Sequence, residues 1–373
     1  MNHCTTVVGL DVHKATIVAA VLPPEMDRAT RTFTIENEPK AVERMVQSLA
    51  AKGSVEFVYE AGPCGYQTHR QIAQLGHKCV LIAPGLIPTR PTDHVKTDRR
   101  DAEKLARLYR AGELTEIRIP TREEEAARDL VRTREDGLAD RLRARHRLSK
   151  FLLRHGRVNR ETKSWGVVHR NWLKTQKFEW AALQQTFEGY MRALDDAEAR
   201  LQTFDQQLQD LAQREAYRTP VAYLRCLKGI DTLSALTLIV EAQDFRRFER
   251  AASFMGFTGL VSSEYSSGER VRRGAMTKAG NAHIRRILVE AAWCNRNGNV
   301  ASRELLERRR GCPVEVVRIA RKAQQRLHRK YWRLVSRSKS HSVAVAATAR
   351  ELAGFVWSIG QRFPRTETAT TTA

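Results

Sequence analysis

Nine apolar residues between Leu183 and Leu211 recur at alternating intervals of four and three, which restricts the fold more than any other pattern in the chain. This spacing keeps one apolar stripe along a helix for about four heptads. We interpret the stripe as the seam of a coiled coil or a long helical hairpin, and we favour a role in oligomerisation. The alternative is one helix packed against its own domain.

The first third of the chain carries a different pattern, rich in β-branched residues. Thr5–Leu22 predicts two strands with a polar joint at His13–Lys14, and Arg31–Ile35 predicts a third. From Pro39 to Ala83 the pattern alternates between helix and strand. Three strands able to pair antiparallel, followed by strand–helix–strand, indicate an α/β layered domain.

The rest of the chain predicts helices, so the fold class is α/β followed by all-α. Leu224–Gly259 reads as helix, glycine turn, helix, the layout of a helix-hairpin-helix whose backbone amides contact DNA phosphate. Thr219-Pro220 indicates a boundary before it. We predict divisions at 1–120, 121–218 (coiled coil), 219–340 and 341–373, the last with a disordered Thr/Ala-rich tail at 366–373.

The charge of the chain points to a polyanionic partner. It holds 64 Lys and Arg against 42 Asp and Glu, a net of +22. Residues 1–120 hold 16 basic and 14 acidic residues, so 48 and 28 lie after them. Such an excess repels itself unless a polyanion neutralises it, which favours DNA or RNA as partner. The alternative is a basic protein with no such partner.

The cysteines and the apolar runs indicate the compartment. Six cysteines are scattered without a Cys-x-x-Cys pair, which favours neither a zinc site nor a disulfide framework. The sequence shows no signal segment at its start, and Arg350 and Glu351 interrupt the longest apolar run. We therefore expect a soluble cytoplasmic protein without a membrane partner.

Four carboxylates are candidates for metal binding. Asp11 lies inside an apolar strand, where a carboxylate is costly unless it meets a cation, and Glu60 ends another. Asp98 and Asp101 are three apart at a predicted helix start and share one face. Converging carboxylates repel each other and favour a divalent ion. The alternatives are helix caps for the aspartate pair and solvent-exposed strand ends for the other two.

Four cations crowd the same segments. Lys14, Lys96, Arg99 and Arg100 either balance the acidic charge or receive phosphate.

Three segments carry these carboxylates: GLDVHK at Asp11, VYEAGP at Glu60 and KTDRRDAEKLARL at Asp98 and Asp101. Together they are similar to the DEDD signature of the IS110 family of insertion-sequence transposases. The resemblance implies a RuvC-like domain of RNase H-like fold in which these four residues are the catalytic metal ligands. It also implies Mg²⁺, as two ions, with Mn²⁺ as an alternative.

A second region resembles the family's C-terminal transposase domain. It runs from LKGID at 227–231 through YSSG at 265–268 to TKAGN and the following Arg-Arg pair. The resemblance implies that Ser267 is a nucleophile joined covalently to DNA, with Ser266 as the alternative assignment. Without it, Ser-Ser-Gly would read as a turn. On charge alone we assign nearby phosphate ligands: Arg272, Arg273, Lys278, Arg285 and Arg286.

The resemblance implies an insertion-sequence recombinase of a prokaryotic cell, associated with the nucleoid. Its expected partners are donor and target DNA, a structured noncoding bridge RNA, and further copies of the chain as a dimer that assembles into a tetramer. One alternative is a metal-dependent junction endonuclease that hydrolyses DNA with water. The other is a noncatalytic nucleic-acid-binding scaffold.

Overall fold

A computed structural model describes residues 5–88, 97–160, 165–267 and 270–364. The chain divides into an N-terminal unit, Met1–Pro120, and a C-terminal unit, Thr121–Ala373. Lys96 and the predicted disordered tail lie outside the described residues.

The N-terminal unit is built on one mixed sheet. Its strands are β1 (Thr6–Val12), β2 (Thr16–Leu22), β3 (Arg31–Glu36), β4 (Val55–Glu60) and β5 (Lys78–Ile82). They lie in the order β3-β2-β1-β4-β5. The pairs β1–β2 and β2–β3 are antiparallel, whereas β1–β4 and β4–β5 are parallel. The predicted α/β layered architecture is confirmed.

Helices cover both faces of this sheet because its strands alternate apolar residues between the two sides. Helix α1 (Pro39–Ala50) and helix α2 (Gln67–Gln74) pack on one face, with Val8 and Leu10 of β1. Helix α3 (Asp98–Arg110) packs on the other face, with Val7 of β1. Successive β1 residues therefore belong to different cores.

In the described part of the C-terminal unit, the regular elements are helices and one short hairpin. Its helices are α4 (Arg122–Arg154), α5 (Val167–Lys174), α6 (Ala181–Gln213), α7 (Glu215–Leu224), α8 (Thr232–Ala242), α9 (Ala251–Phe257), α10 (Ala282–Trp293), α11 (Arg303–Arg309), α12 (Val314–Val335) and α13 (His341–Gly360). Strands β6 (Ser262–Glu264) and β7 (Arg273–Met276) pair antiparallel. Within the described ranges, none of these helices is both long and apolar enough to cross a bilayer.

The heptad stripe is used inside the chain. Helix α6, which carries it, packs antiparallel on α4, with ion pairs Arg134–Asp205 and Arg145–Glu198 between them. Several stripe residues, including Leu194 and Leu201, are buried in this contact. The pattern therefore forms a long helical hairpin, and it no longer supports oligomerisation.

Helices α7 to α10, α12 and α13 share one hydrophobic core, whereas Leu173 of α5 packs into the core of the α4–α6 hairpin. The shared core includes residues from Ala127 on α4 to Ile359 on α13. The predicted division at 218/219 falls inside α7, which continues through Pro220, so the proline does not break the chain there. The finer divisions of this unit stay predictions.

Candidate active site

Two of the predicted carboxylates stand at the carboxyl ends of neighbouring parallel strands. Strands β1 and β4 pair in register up to Leu10 opposite Tyr59, so Asp11 and Glu60 form the next pair along. Side chains alternate between faces, and both carboxylates share a face with the pair Gly9–Val58. Val58 belongs to the core under α3, so Asp11 and Glu60 lie on the α3 side of the sheet.

Gly9 brings α3 close to this edge. A methyl group added at Gly9 would lie 2.0 Å from the Ala102 carbonyl oxygen, so only glycine allows the helix backbone to rest on β1. At the far end of α3, the Tyr109 hydroxyl donates to the Glu56 carboxylate at 2.6 Å. The helix therefore runs opposite to β1 and β4, and its first turn lies at the edge with Asp11.

The first turn of α3 supplies the other two carboxylates. The Thr97 side chain accepts from the Arg100 N–H and is the N-cap, so Asp98 is not the cap. Asp98 and Asp101 instead lie in the first turn. There the partial positive charge of the helix end favours carboxylates.

His13 joins this group, although the sequence analysis did not select it. Its Nε2 lies 3.4 Å from the Asp11 carboxylate and 3.6 Å from that of Asp98. One ligand atom from each of the three lies within 4.8 Å of the others. The turn is held by the His13 N–H donating to the Thr16 carbonyl and the Asn37 side chain donating to the His13 carbonyl. The Asp-x-His spacing was the available signal, since alternate strand residues share a face.

The electrostatics of the group favour a bound cation. Burial raises the pKa of Asp11, and the charges of Asp98 and Asp101 raise it further, against the opposing effect of His13. Two carboxylates and an imidazole within reach of one point, Asp11, Asp98 and His13, are a donor set that can bind a divalent ion. The residues present therefore fit a divalent metal.

All four predicted carboxylates line one open cleft of about 1610 Å³. Lys14 and Arg100 also line this cleft, which the predicted role in phosphate binding would require. Arg99 is exposed but does not line the cleft. Glu60 and Asp101 belong to the cleft but not to the tight group of Asp11, His13 and Asp98.

Ser267 lies near the tip of the β6–β7 hairpin in the C-terminal unit. Its backbone exchanges two hydrogen bonds with Arg270, both 3.2 Å, and its side chain is exposed. Its hydroxyl has no hydrogen-bond partner among the described residues. The Ser266 hydroxyl, in contrast, donates to the Glu264 carboxylate at 2.9 Å and accepts from the Arg272 N–H. The Ser266 hydroxyl thus stabilises the hairpin, whereas the Ser267 hydroxyl is exposed to solvent.

The base of the hairpin is anchored by Asn281, the last residue of the TKAGN motif. Its side chain accepts from the Ile284 N–H, which caps α10, and donates to the Glu241 carboxylate at 2.7 Å. Arg132 of α4 binds the same carboxylate through two bonds of 2.7 and 3.0 Å. The Glu241 side chain is only 1% exposed, so water has little access to the carboxylate of this anchor.

The five predicted phosphate ligands of this unit divide into two groups. Arg272, Arg273 and Lys278 are exposed, with Arg273 lying 3.5 Å from Glu264. Arg285 and Arg286 have protein partners instead.

The Arg285 guanidinium donates to the Thr258 carbonyl at 2.9 Å. Arg286 pairs with Glu135 and Glu290. The three exposed cations, Arg272, Arg273 and Lys278, remain candidates for phosphate binding.

Two family models match parts of the chain. A family model of DEDD transposases of the IS110 type matches residues 8–156, which include the four carboxylates. A second, described as the transposase IS116/IS110/IS902 family, matches residues 221–307, which include Ser267.

Curated relatives match over most of the chain. A Sinorhizobium fredii protein named as a transposase, y4qE, is 37% identical over 361 residues, 96% of this chain and 89% of its own. The transposase for insertion sequence element IS1533 of Leptospira borgpetersenii is 36% identical over 336 residues, 89% of this chain and 97% of its own. The chain belongs to the IS110 family of insertion-sequence transposases. As an IS110 transposase it is a DNA-cleaving and DNA-rejoining enzyme.

Proposed function

We propose that this IS110 transposase exchanges DNA strands through a covalent phosphoserine intermediate, with Ser267 as nucleophile. The proposal further assigns metal binding to Asp11, Glu60, Asp98 and Asp101. The observation that carries it is the convergence of these four carboxylates, distant in sequence, on one cleft. A structural role for each residue alone gives no reason for them to meet at such electrostatic cost.

The carboxylates would hold Mg²⁺, as two ions, with Mn²⁺ as a substitute. When bound, such ions lower the pKa of an attacking hydroxyl and stabilise the leaving oxygen of a phosphodiester. Asp11 and Asp98 are the closest carboxylates, and His13 is positioned either to join them as a ligand or to fix their orientation. The sheet order and the strand-edge site support an RNase H-like, RuvC-like domain.

The strand exchange assigned to Ser267 needs no external energy source, because one phosphate ester bond forms for each one that breaks. Its Oγ forms a bond to the scissile phosphorus, the bond from phosphorus to the leaving DNA oxygen breaks, and that oxygen takes a proton. A hydroxyl of the incoming strand then attacks the phosphoserine, rejoins DNA and restores the serine. A serine needs activation for this step, and the exposed Ser267 hydroxyl is not committed to any described hydrogen bond.

The decisive experiment compares serine variants on end-labelled duplexes of the element ends with Mg²⁺. We expect wild type to give a denaturant-resistant protein–DNA adduct and Ser267→Ala to give neither adduct nor cleavage. Ser262→Ala, which changes an exposed serine on β6, is the control. If Ser267→Ala still cuts, the enzyme is a hydrolytic junction nuclease; loss of the adduct in Ser266→Ala alone would move the nucleophile by one residue.

The scaffold alternative has its own test. Asp11→Ala and Glu60→Ala should each abolish recombination in cells that carry a marked element. Recombination at the wild-type rate in both variants would show that the carboxylates are structural.

The partners beyond DNA are also part of the proposal. The family resemblance implies a bridge RNA that pairs with donor and target DNA, and the net charge of +22 suits two polyanions. Sequencing the RNA that co-purifies with the protein tests this: a discrete noncoding species from beside the gene supports guidance, and random transcripts contradict it. Assembly into a tetramer rests on the resemblance alone, and light scattering of the purified complex tests it.

A further inference from the structure

Helix α12 turns one strongly basic face to solvent. Its apolar face is buried against the core, through Val316, Ala320, Ala323, Gln324, Leu327 and Tyr331. At 100° per residue, a set of cations falls on the opposite side of the helix. We define the basic face as Arg318, Arg321, Lys322, Arg329 and Arg333, all exposed.

The cations on the flank of α12 have a different use. Arg326 and Lys330 both pair with Glu351 of α13, whose side chain is 13% exposed. These pairs hold α12 to α13 and compensate the flank charges. Among the described residues, the buried carboxylate that compensates charge on α12, Glu351, therefore lies at the flank and not at the basic face.

Most of the basic face is uncompensated. Arg318, at the start of the helix, lies 3.8 Å from Glu315, a carboxylate that also binds Arg362. The other four cations have no carboxylate within ion-pair distance among the described residues. Four like charges within three to four helical turns repel one another, and an external anion beside them would relieve that repulsion.

An exposed indole stands within the basic face. Trp332 is 44% exposed and lies between Arg329 and Arg333 in sequence. Its ring packs edge-on against Tyr331, with centroids 5.4 Å apart, so it is held in place rather than free. A fixed aromatic surface among arginines is typical of sites that contact sugars or bases beside phosphate.

We propose that the basic face of α12 binds the sugar–phosphate backbone of a nucleic acid duplex. The helix has 22 residues and is therefore about 33 Å long, close to one turn of a double helix. The basic face covers about 24 Å of this length, from Arg318 to Arg333, which is enough to contact several phosphates. The proposal deepens the proposed function by naming a substrate-holding surface, but it depends on binding and not on Ser267 or the carboxylates.

The test measures equilibrium binding of the full chain in EDTA, so that cleavage plays no part. The probes are fluorescent 30-base-pair duplexes of DNA and of RNA, titrated at several salt concentrations. The test variant is Arg321→Gln, Arg329→Gln and Arg333→Gln together. The matched control is Lys40→Gln, Arg44→Gln and Lys52→Gln, which removes three exposed cations around α1, on the sheet face opposite to the carboxylates.

We expect the test variant to lose affinity and to flatten the slope of log affinity against log salt. Three lost phosphate contacts on DNA reduce that slope by about 3. Loss confined to the DNA duplex or to the RNA duplex identifies the polymer, and loss on both indicates recognition of backbone alone. The proposal is overturned if the test variant matches the control on both duplexes, or loses affinity with an unchanged slope. Unaltered melting temperatures establish that both variants are folded.

Trp332→Ala gives a second, independent measurement. We expect a smaller loss of affinity with no change in salt slope, because an indole removes no phosphate contact. A Trp332→Ala variant with wild-type affinity would limit the proposal to the arginines and the lysine. Formation of the phosphoserine adduct is scored separately, so failure of either proposal leaves the other testable.

Discussion

The side chains of the carboxylate cleft and Ser267 on the β6–β7 hairpin are held in position in different ways. Asp11 and Glu60 are fixed by the register of two core strands, and Asp98 by a helix resting on Gly9. Ser267 stands on an exposed hairpin whose base alone is anchored, through Asn281 and Glu241. The hydrophobic core therefore positions the carboxylates. A polar anchor at the base of the hairpin positions Ser267 and leaves the tip of the hairpin accessible.

The largest effect should follow from removing charge at the core-positioned site. Asp11→Asn keeps the shape of the side chain but removes a carboxylate, and we expect at least about a 100-fold loss of strand cleavage. The melting temperature of the metal-free protein should not fall, because the substitution relieves repulsion with Asp98 and Asp101.

The matched control is Glu103→Gln, which removes a carboxylate from the same cleft outside the predicted set. Cleavage should stay within a few-fold of wild type in this variant. Equal losses in Asp11→Asn and Glu103→Gln would mean that the cleft acts through its total charge, and the assignment of four specific ligands would be wrong.

The second prediction breaks the anchor of the hairpin. Glu241→Gln leaves Arg132 without its buried carboxylate, and we expect the free energy of unfolding to fall by about 3 kcal/mol. Denaturant titration of the purified chain measures the change. Asp205→Asn, in the more exposed pair with Arg134 on α4, is the control and should cost less than about 1 kcal/mol. If both substitutions cost the same, burial of Glu241 adds nothing to the anchor.

These two sites also differ in how far the sequence predicts them. Asp11 and Glu60 were found because a carboxylate in an apolar strand is unusual, and the strand alternation then places both on one edge. Glu241 lies 109 residues from Arg132, and nothing in the local pattern of α8 indicates that they meet. A long-range ion pair leaves no periodic signal in the sequence.

The remaining differences have the same origin. The heptad stripe predicted a long packed helix, but the pattern cannot say whether its partner lies in the same chain, and here the partner is α4. Pro220 predicts a boundary because proline disfavours helix interiors, yet α7 continues through it and buries Tyr217, Val221 and Leu224. His13 was missed because its role depends on α3, which is remote in sequence.

The third prediction tests the close approach of α3 to the sheet. Gly9→Ala places a methyl group against the Ala102 carbonyl, and we expect about 2 kcal/mol of destabilisation together with reduced cleavage as the first turn of α3 shifts. Gly189→Ala on α6 has open space around it and should be neutral or slightly stabilising. A Gly9→Ala chain that is destabilised but fully active would show that Asp98 and Asp101 need no fixed distance from Asp11.

The smallest effect concerns the pH dependence of the anchor region. The hydrogen bond to the Glu135 carboxylate raises the pKa of His283 above its ordinary value of 6.5, so folding favours the protonated ring. The resulting stability is complete below that ordinary value and is lost as the pH rises through the raised value in the folded state. Since His283 is about one-third exposed, solvent weakens the pair, and we expect a contribution below about 1 kcal/mol.

Urea titrations at pH 6 and pH 9 should show a smaller fall in stability for His283→Gln than for wild type. The exposed His146→Gln, on α4, should behave as wild type. An unchanged pH response in His283→Gln would place the titrating group elsewhere and leave Asn281 and Glu241 as a pH-independent anchor.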